Sequence, residues 1–250
     1  MPGKRRGMGY EAIADVIRTR IVSGELQPGE KIPSESQIMD DYDVGRETAY
    51  RALQVLRNEG LTVSRQGAPT RVRRFHPIRR SATKRLASEV WGSGTSMWDI
   101  DVRDERATPR DIEVTEIDAP TRIASALGIR RGTRVVRRSR RYFLDDDPIM
   151  AAVSYLPADI AAGTQIAEED TGAGGTYARL SDLGHAPEGF TEEMRVRMPT
   201  KEEAALLDLQ RGTPVILLVR TARDASNRVV EVNEMILDSS AYVLDYEVPS

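Results

Sequence analysis

The sequence predicts an α+β protein in two parts: a helical N-terminal third, and a larger part built on a mostly antiparallel sheet with helices. Two observations lead to this prediction. Apolar residues recur at helical spacing up to Gly60, and strand-like runs bounded by turn residues recur after residue 110. With 250 residues, of which 40% are apolar and 30% charged, the chain is long enough for two folded cores.

Composition excludes several kinds of site. The chain has no cysteine, which excludes disulfides, thiolate zinc sites and cysteine nucleophiles. No apolar run approaches the ~18 residues that suggest a membrane-spanning helix. The basic start of the chain is not followed by an apolar stretch, so it does not resemble a secretory signal. We therefore expect a cytoplasmic protein without a membrane partner.

Charge is divided unevenly along the chain. Residues 1–80 carry 15 Lys and Arg against 10 Asp and Glu, whereas residues 81–250 carry 21 against 29. A basic N-terminal third in a chain of net charge -3 favours polyanion binding by that third. Chance clustering explains the charge equally well when it is taken alone, so the motifs must decide.

Two helices are predicted at the start. The first ends near Gly24, since glycine is a common helix terminator. The second begins at Ser34, whose hydroxyl can cap the helix while Gln37, three residues on, completes a capping-box pattern. The first helix is recognised from an apolar face at three- and four-residue spacing: Tyr10, Ile13, Ala14, Ile17 and Ile21.

A turn at residues 43–45 leads into a third helix, predicted from about residue 46 to residue 59. Its buried stripe consists of Ala49, Ala52, Leu53 and Leu56. Two helices joined by so short a turn are typical of a helix-turn-helix, in which the start of the second helix meets base edges in the DNA major groove. This pattern therefore predicts a DNA-reading helix.

The candidate DNA contacts lie at the start of the third helix. Arg46 can bond guanine O6 and N7 with its two-pronged guanidinium, and Thr48 and Arg51 can reach phosphates or bases. Tyr50 lies in the same part of the helix. Glu47 repels phosphate, so it either accepts a hydrogen bond from a cytosine amino group or holds an arginine in place. Taken singly, each arginine is as well explained as a solvated helix charge.

A basic hairpin is predicted after this helix. Two strands, 61–65 and 70–73, flank a tip that includes Gln66 and Gly67. Glycine at the tip lets the backbone approach a DNA groove closely, and Arg65 adds positive charge beside it. Three helices, a turn and a basic hairpin in this order predict a winged helix-turn-helix DNA-binding domain.

These residues resemble the GntR-type winged helix-turn-helix. The family pattern is matched by GELQPGEKIPSE, VGRET, LRNEG and RQGAPTRV over residues 10–73. Gly45 stands where serine or threonine is usual, and Ser36 stands where many members have arginine. The resemblance implies DNA contacts by Arg46, Thr48, Arg51, Gln66 and Gly67. At the two departures this chain lacks the side chain that would touch a phosphate or a base.

The C-terminal part is predicted to be a sheet with two helices. The strands are expected at 111–117, 133–144, 149–155, 190–198, 215–224 and 229–237, and the helices at 121–127 and 200–207. In the second strand Arg138, Arg140 and Tyr142 share one face because successive side chains alternate. These arginines either face a cleft that binds phosphate or carboxylate, or form a solvated row paired with acids at 145–147.

A second resemblance covers this part. The segments RRYFLDDDPIMAAVSYLP, RTARDASNRVVEV and AYVLDYEVP resemble the effector-binding UTRA domain of the HutC subfamily. The resemblance implies a chorismate-lyase-like fold, with a DNA-binding domain at 1–74, a linker at 75–84, and an effector-binding and dimerisation domain at 85–250. It also implies these effector-binding residues: Ser96, Arg138, Arg140, Ser154, Tyr155, Glu231 and Tyr242.

The expected function is a ligand-responsive transcriptional regulator, acting as a repressor. We expect a homodimer on an inverted-repeat operator, because two-fold symmetry doubles the DNA contacts. The effector is expected to be an anionic small molecule, and no catalytic residue, metal site or cofactor is expected. Two alternatives remain: a constitutive dimeric repressor, for example in plasmid-transfer control, and a lyase-like enzyme acting on a small acid.

Overall fold

A computed structural model describes residues 7–63, 69–73, 78–81, 107–144 and 146–246. The chain divides into two compact units, one formed by Met1–His76 with Gln210–Thr213 and the other by Pro77–Leu209 with Pro214–Ser250. The predicted α+β class is confirmed, with helices in the first unit and a large sheet in the second. None of the helices in the described ranges is long and apolar enough to cross a membrane.

The first unit contains the three predicted helices, α1 (Tyr10–Val22), α2 (Glu35–Tyr42) and α3 (Arg46–Asn58). Their apolar stripes meet in one core, which includes Ile13, Ile17, Ile38, Ala52 and Leu56, all fully buried. The predicted turn is present, and Asp43 ends α2 in the left-handed conformation at φ 52°. The start of α3 is thereby held on a packed scaffold.

The predicted capping box of α2 is confirmed. Ser34 Oγ accepts from the Gln37 backbone N–H at 3.3 Å, and Gln37 Oε1 accepts from the Ser34 N–H at 2.9 Å. We expect Ser34→Ala to lower the free energy of unfolding of the first unit by about 1 kcal/mol, because a helix donor loses its partner. Chemical denaturation of the full chain measures this loss. Ser34→Asp keeps an acceptor and should retain stability; equal loss in both variants would contradict the capping role.

A two-stranded hairpin follows α3, formed by β1 (Thr62–Val63) and β2 (Arg71–Val72) in antiparallel register. Both strands are shorter than predicted within the described residues. Arg71 donates to the Gly29 carbonyl at 2.9 Å, which ties the hairpin to the turn after α1. The predicted tip residues Arg65, Gln66 and Gly67 lie outside the described residues.

The second unit is built on an antiparallel sheet of six strands in the order β4-β5-β6-β9-β8-β7. Its strands are β4 (Thr108–Asp118), β5 (Arg134–Leu144), β6 (Asp147–Pro157), β7 (Pro187–Arg197), β8 (Val215–Asp224) and β9 (Val229–Asp238), and a separate parallel pair joins β3 (Ile78–Ser81) to β10 (Tyr242–Asp245). The described helices of this unit are α4 (Thr121–Leu127), α5 (Ala158–Ala161), α6 (Gly175–Asp182) and α7 (Lys201–Leu206). All six sheet strands lie where the sequence predicted them, with small shifts at their ends.

The two faces of this sheet carry different cores. On one face, α4 packs through Ile123 and Leu127 against Tyr155 and Val232. The other face carries two apolar clusters, one with α5 and α6 and one with β3 and β10. Cross-strand register places a polar row between these two clusters: Arg138, Ser154, Asn233, Arg220 and Glu192. This row borders the candidate site.

The predicted linker at 75–84 requires correction, because residues 78–81 form strand β3 and pair with β10. Arg80 of β3 is fully buried, and its Nη2 lies 3.1 Å from Glu192 Oε1, 112 positions along the chain. A four-residue strand whose partners are so distant has no local pattern that reveals it.

Candidate functional site

The start of α3 presents a group of exposed polar side chains in the first unit. Arg46, Tyr50 and Arg51 are exposed and Thr48 is half-buried, so the structure brings together the four residues predicted from this helix. Gly45 precedes the helix and has no side chain that could cap it, so the first N–H groups of the helix have no side-chain partner from this position. Backbone N–H groups at such a helix start, with the positive end of the helix dipole, suit a phosphate group.

Acidic residues hold the two arginines of this surface. Arg46 Nε lies 3.2 Å from Glu35 Oε2, and Arg51 Nε lies 2.7 Å from Glu47 Oε1. Of the two roles predicted for Glu47, the structure shows that of holding an arginine. Exposed ion pairs of this kind contribute about 0–1 kcal/mol. Both guanidinium groups can therefore exchange their carboxylate for a phosphate or a base at small cost.

The second unit contains a cavity of about 420 Å³ on the sheet face that bears the polar row. Side chains from β5, β9 and α6 line it, together with the segment 169–176. Those side chains include Arg138, Arg140, Tyr142, Tyr177, Glu231 and Asn233. A space of this size fits a small molecule and is lined by groups of both charges.

Arg140 is a charged donor on the cavity wall. Its Nε donates to the Tyr142 hydroxyl at 3.0 Å and its Nη1 donates to Ser154 Oγ at 2.9 Å. Burial opposes the charged form, but Tyr142 and Glu231 outweigh it and raise the pKa of Arg140. Arg140 is therefore a fixed cation whose orientation is set by two neighbours, the arrangement that suits a carboxylate or phosphate.

Arg138 lines the cavity, but most of its hydrogen bonds are made to the protein backbone. Its guanidinium donates to the backbone carbonyls of Ile166 and Glu168, and to that of Glu169 at 3.0 Å. Burial and the neighbouring Arg140 lower the pKa of Arg138. Arg138 therefore fastens the segment that runs into the cavity wall, and its donors are largely committed to the protein.

The arginines on the opposite face of β5 form ion pairs with acids of the neighbouring strand. Arg137 Nη1 lies 3.3 Å from Glu113 Oε2, and Arg141 Nε lies 2.7 Å from Asp111 Oδ2. Both acids belong to β4. One face of the strand therefore meets a cavity, and the other forms a solvated row of ion pairs with β4.

Glu231 and Tyr177 form a buried acid–phenol pair on the cavity wall. The Tyr177 hydroxyl donates to Glu231 Oε2 at 2.8 Å. Burial and Glu231 raise the pKa of Tyr177, which keeps the hydroxyl protonated and donating. Asn233 lies on the same strand, and its buried Oδ1 has no hydrogen-bond partner among the described residues. This oxygen is an acceptor available to a ligand N–H or O–H.

Three predicted effector residues do not line this cavity. Ser154 is buried on the cavity side of the sheet, where its Oγ accepts from Arg140 at 2.9 Å. Tyr155 packs in the core beneath α4 with Val135 and Val232, on the opposite face of the sheet from Ser154. Tyr242 is buried among Ile78 and the other apolar residues of the cluster with β3 and β10. The structure therefore places Arg138, Arg140, Ser154 and Glu231 together and separates Tyr155 and Tyr242 from them. Ser96 lies outside the described residues.

Sequence reasoning missed the α6 side of the cavity. The segment TGAGGTY, residues 171–177, borders the cavity and includes the start of α6. Gly172, Gly174 and Gly175 all have positive φ, so this close-fitting turn requires glycine. The cluster of glycines beside Tyr177 was the sequence feature that could have indicated this wall of the cavity.

A buried network continues the polar row away from the cavity. Arg220 donates to Glu192 Oε1 at 2.9 Å and 2.8 Å, and Arg80 shares the same oxygen. Burial alone raises the pKa of Glu192, but Arg220 and Arg80 outweigh it and lower the pKa to about 2. Arg220 also hydrogen-bonds Tyr177, so the network reaches the cavity wall.

Within the described residues, no group of three histidine or acidic side chains could hold a metal ion. His185 Nδ1 lies 2.9 Å from Asp224 Oδ2 at a turn outside the cavity. Ser226 and His185 lower the pKa of Asp224 to about 2, so the acid stays charged and fixes the turn between β8 and β9. The contact between His185 and Asp224 is therefore explained by its structural role at this turn.

Comparisons with known proteins agree for both units. Residues 103–243 match the family model for the UTRA domain, and residues 9–72 match the model for bacterial regulatory proteins of the gntR family. An uncharacterized HTH-type transcriptional regulator of Streptomyces coelicolor is 30% identical over 96% of this chain and 93% of that protein. The histidine utilization repressor of Pseudomonas putida is 29% identical over 84% of this chain and 80% of that protein. A crystal structure described as a putative GntR-family transcriptional regulator has a TM-score of 0.66 at 25% identity. The match covers 96% of this chain and 97% of the chain in that structure.

Proposed function

Because the chain belongs to the GntR family of bacterial transcriptional regulators and carries a UTRA domain, we propose that it is a dimeric repressor released from an inverted-repeat operator by an anionic effector. Effector-modulated DNA binding is the function of this class of protein. Four parts of this statement are proposals: that the protein represses transcription, that it acts as a dimer, that its operator is an inverted repeat, and that its effector is an anion. The observation that carries the effector part is Arg140, a half-buried cation held in place on a cavity wall.

The DNA-reading residues of this proposal are Arg46, Thr48, Tyr50 and Arg51. Their position at the exposed start of α3 supports this assignment, because that end of a recognition helix enters the major groove. Arg65, Gln66 and Gly67 remain proposed contacts of the hairpin tip. Arg46 reads a base, and Arg51 adds phosphate attraction after leaving Glu47.

The effector in this proposal carries an anionic group at one end and hydrogen-bond donors at the other. Arg140 receives the anion, and the buried Ser154 hydroxyl helps to orient its guanidinium. Glu231 and Asn233 Oδ1, which has no partner among the described residues, accept from hydroxyl or N–H groups of the ligand. The acids Glu169 and Asp170 on the rim disfavour a polyanion. Arg138 acts by holding the cavity wall in shape.

Release from DNA follows from a coupling of the two sites. A dimer binds an operator tightly only when both recognition helices match half-sites about one helical turn apart. An effector that binds better to the conformation in which they do not match shifts the population away from DNA. Typical couplings of about 1–3 kcal/mol change operator affinity about 5- to 150-fold.

We expect Arg46→Ala to weaken binding to the operator by about 1–3 kcal/mol and to relax the preference at one base position, because alanine cannot bond a base edge. Fluorescence anisotropy with operator and scrambled duplexes measures both effects. Arg57→Ala removes a charge from the last turn of the same helix and serves as the control. Operator affinity that is unchanged in Arg46→Ala would contradict the assignment of α3.

The effector is found by thermal-shift screening of the full chain. Sugar phosphates, amino-acid catabolites and other acidic metabolites are tested, and each compound that raises the melting temperature is added to an operator gel shift. We expect at least one such compound to release the DNA. Compounds that stabilise the protein without altering DNA binding would favour a constitutive repressor instead.

A further inference from the structure

A buried polar network runs from the cavity to strand β3 within the second unit. It begins on the cavity wall, where the Tyr177 hydroxyl donates to Glu231 Oε2 at 2.8 Å. The same hydroxyl also bonds Arg220, and because a guanidinium has no acceptor, Arg220 is the donor. Tyr177 therefore belongs both to the cavity wall and to the network.

The carboxylate of Glu192 joins the two ends of this network. Arg220 donates to its Oε1 at 2.9 Å and 2.8 Å, and Arg80 Nη2 lies 3.1 Å from the same oxygen. Because both guanidinium groups share one oxygen, a change in the hold of Arg220 changes the hold of Arg80. We call the following residues the cavity-to-strand network: Glu231, Tyr177, Arg220, Glu192 and Arg80.

The far end of the network holds the small parallel pair of β3 and β10. Arg80 lies in β3, and Tyr246, which directly follows β10, donates its hydroxyl to Glu192 Oε2 at 2.8 Å. A two-stranded pair is marginal by itself in water, so its attachment to the rest of the unit decides how well it is ordered. Ile78 and Tyr242 supply apolar contacts to that attachment, and Glu192 supplies polar ones.

Strand β3 is also the first element of the second unit along the chain. It begins at Ile78, shortly after His76, where the main segment of the first unit ends. A change in the order of β3 is therefore passed to the chain that continues from the DNA-reading unit.

Stability alone does not account for this network. Arg80 and Arg220 are fully buried, and the side chain of Glu192 is 6% exposed. Apolar side chains of similar volume are often as stabilising as a buried ion pair, or more so. In a core of low dielectric constant, however, the members of a hydrogen-bonded network polarise one another, so a change at one end is felt at the other. A connection between two sites needs this property.

We propose that the cavity-to-strand network couples occupancy of the cavity to the order of β3, with Arg80 as the positioning residue at its far end. A ligand that donates to Glu231 competes with the Tyr177 hydroxyl, and Arg220 then loses an acceptor. Arg220 takes a larger share of Glu192, which loosens Arg80 and with it β3. This inference rests on the proposed effector control of DNA binding and names the residues that transmit it.

The first test measures amide hydrogen exchange of residues 78–81 in the full chain by mass spectrometry. Tyr177→Phe removes an acceptor of Arg220 and imitates the displaced hydroxyl, so we expect exchange there to become at least about tenfold faster relative to exchange in α4. Tyr155→Phe makes the same change at a buried tyrosine on the other face of the sheet and should leave these amides unchanged. Exchange in α4 reports any general loss of stability.

A double-variant cycle separates the network from a local effect at Tyr177. Arg80→Met removes one cation and leaves Arg220 and Glu192 as a one-to-one pair, so the unit should stay folded. In this background Tyr177→Phe should no longer alter exchange at residues 78–81, because the connection is already broken. In an Arg79→Met background, where an exposed arginine of the same strand is lost, the effect of Tyr177→Phe should persist.

The second test uses compounds that raise the melting temperature of the wild-type chain and release it from the operator. In Arg80→Met, such a compound should still raise the melting temperature but no longer release the DNA. Undiminished release in Arg80→Met, or equal exchange at residues 78–81 in Tyr177→Phe and Tyr155→Phe, would overturn the network while leaving the proposed repressor in place. If no compound releases the wild-type chain, the effector part of the proposed function fails, and the exchange measurements still decide the network.

Discussion

Replacing Glu192 with glutamine is expected to lower the free energy of unfolding of the second unit by about 3–5 kcal/mol. Arg80 and Arg220 are both fully buried and share Oε1 of this one carboxylate. Glutamine has nearly the same shape but no charge, so two buried cations lose the carboxylate that they share. Breaking a buried pair in this way is among the largest single-residue effects on stability.

The pH dependence of this loss has a defined sign. The pKa of Glu192 is about 2 in the folded chain, below the usual glutamate value near ~4 in an unfolded chain. Its contribution is therefore complete above the unfolded pKa and declines as the pH falls through 4 towards 2. The difference in stability between wild type and Glu192→Gln should shrink over that acid range.

Urea denaturation between pH 7 and pH 3 measures both effects. Glu188→Gln changes an exposed glutamate on the same strand and should be neutral at every pH. A Glu192→Gln variant as stable as wild type at pH 7 would contradict the view that this carboxylate holds β3 and β8 together. If wild type and Glu192→Gln changed in stability equally with pH, the predicted direction of the pH effect would be contradicted.

Arg140→Ala is expected to abolish the effector response while leaving operator binding without effector unchanged. The effector loses its fixed cation, whereas α3 and its surroundings belong to another unit of the chain. A response of about 5- to 150-fold in wild type should fall to none. Operator anisotropy titrations, with and without a compound that stabilises the wild-type chain, give the comparison directly.

Arg137→Ala is the matched control for this variant. Arg137 lies on the same strand but on the opposite face, where it pairs with Glu113. Its removal should leave the response intact. A full response in Arg140→Ala, with the same compound and similar protein stability, would show that the effector binds elsewhere.

Local patterns in the sequence were sufficient for the DNA-reading unit. The capping box at Ser34 and the apolar stripes depend on residues three or four positions apart, and both were confirmed. The strands of the large sheet were also predicted, because their alternation and turns are local. The same alternation predicted that Arg138, Arg140 and Tyr142 share a face.

The cavity was only partly predictable, because its walls come from distant parts of the chain. Tyr177 meets Glu231 from 54 positions away, and Arg80 meets Glu192 from 112. One error could have been avoided from the sequence. Ser154 and Tyr155 are neighbours in a strand, so their side chains point to opposite faces and only one of them can lie on the cavity side of the sheet.

The most direct test is to measure the affinity of the full chain for a duplex obtained by footprinting genomic DNA, with and without a stabilising metabolite, at moderate ionic strength. We predict selective binding that weakens by about 5- to 150-fold when the metabolite is added. Equal affinity for every genomic fragment, with or without metabolites, would contradict an effector-controlled regulator of transcription.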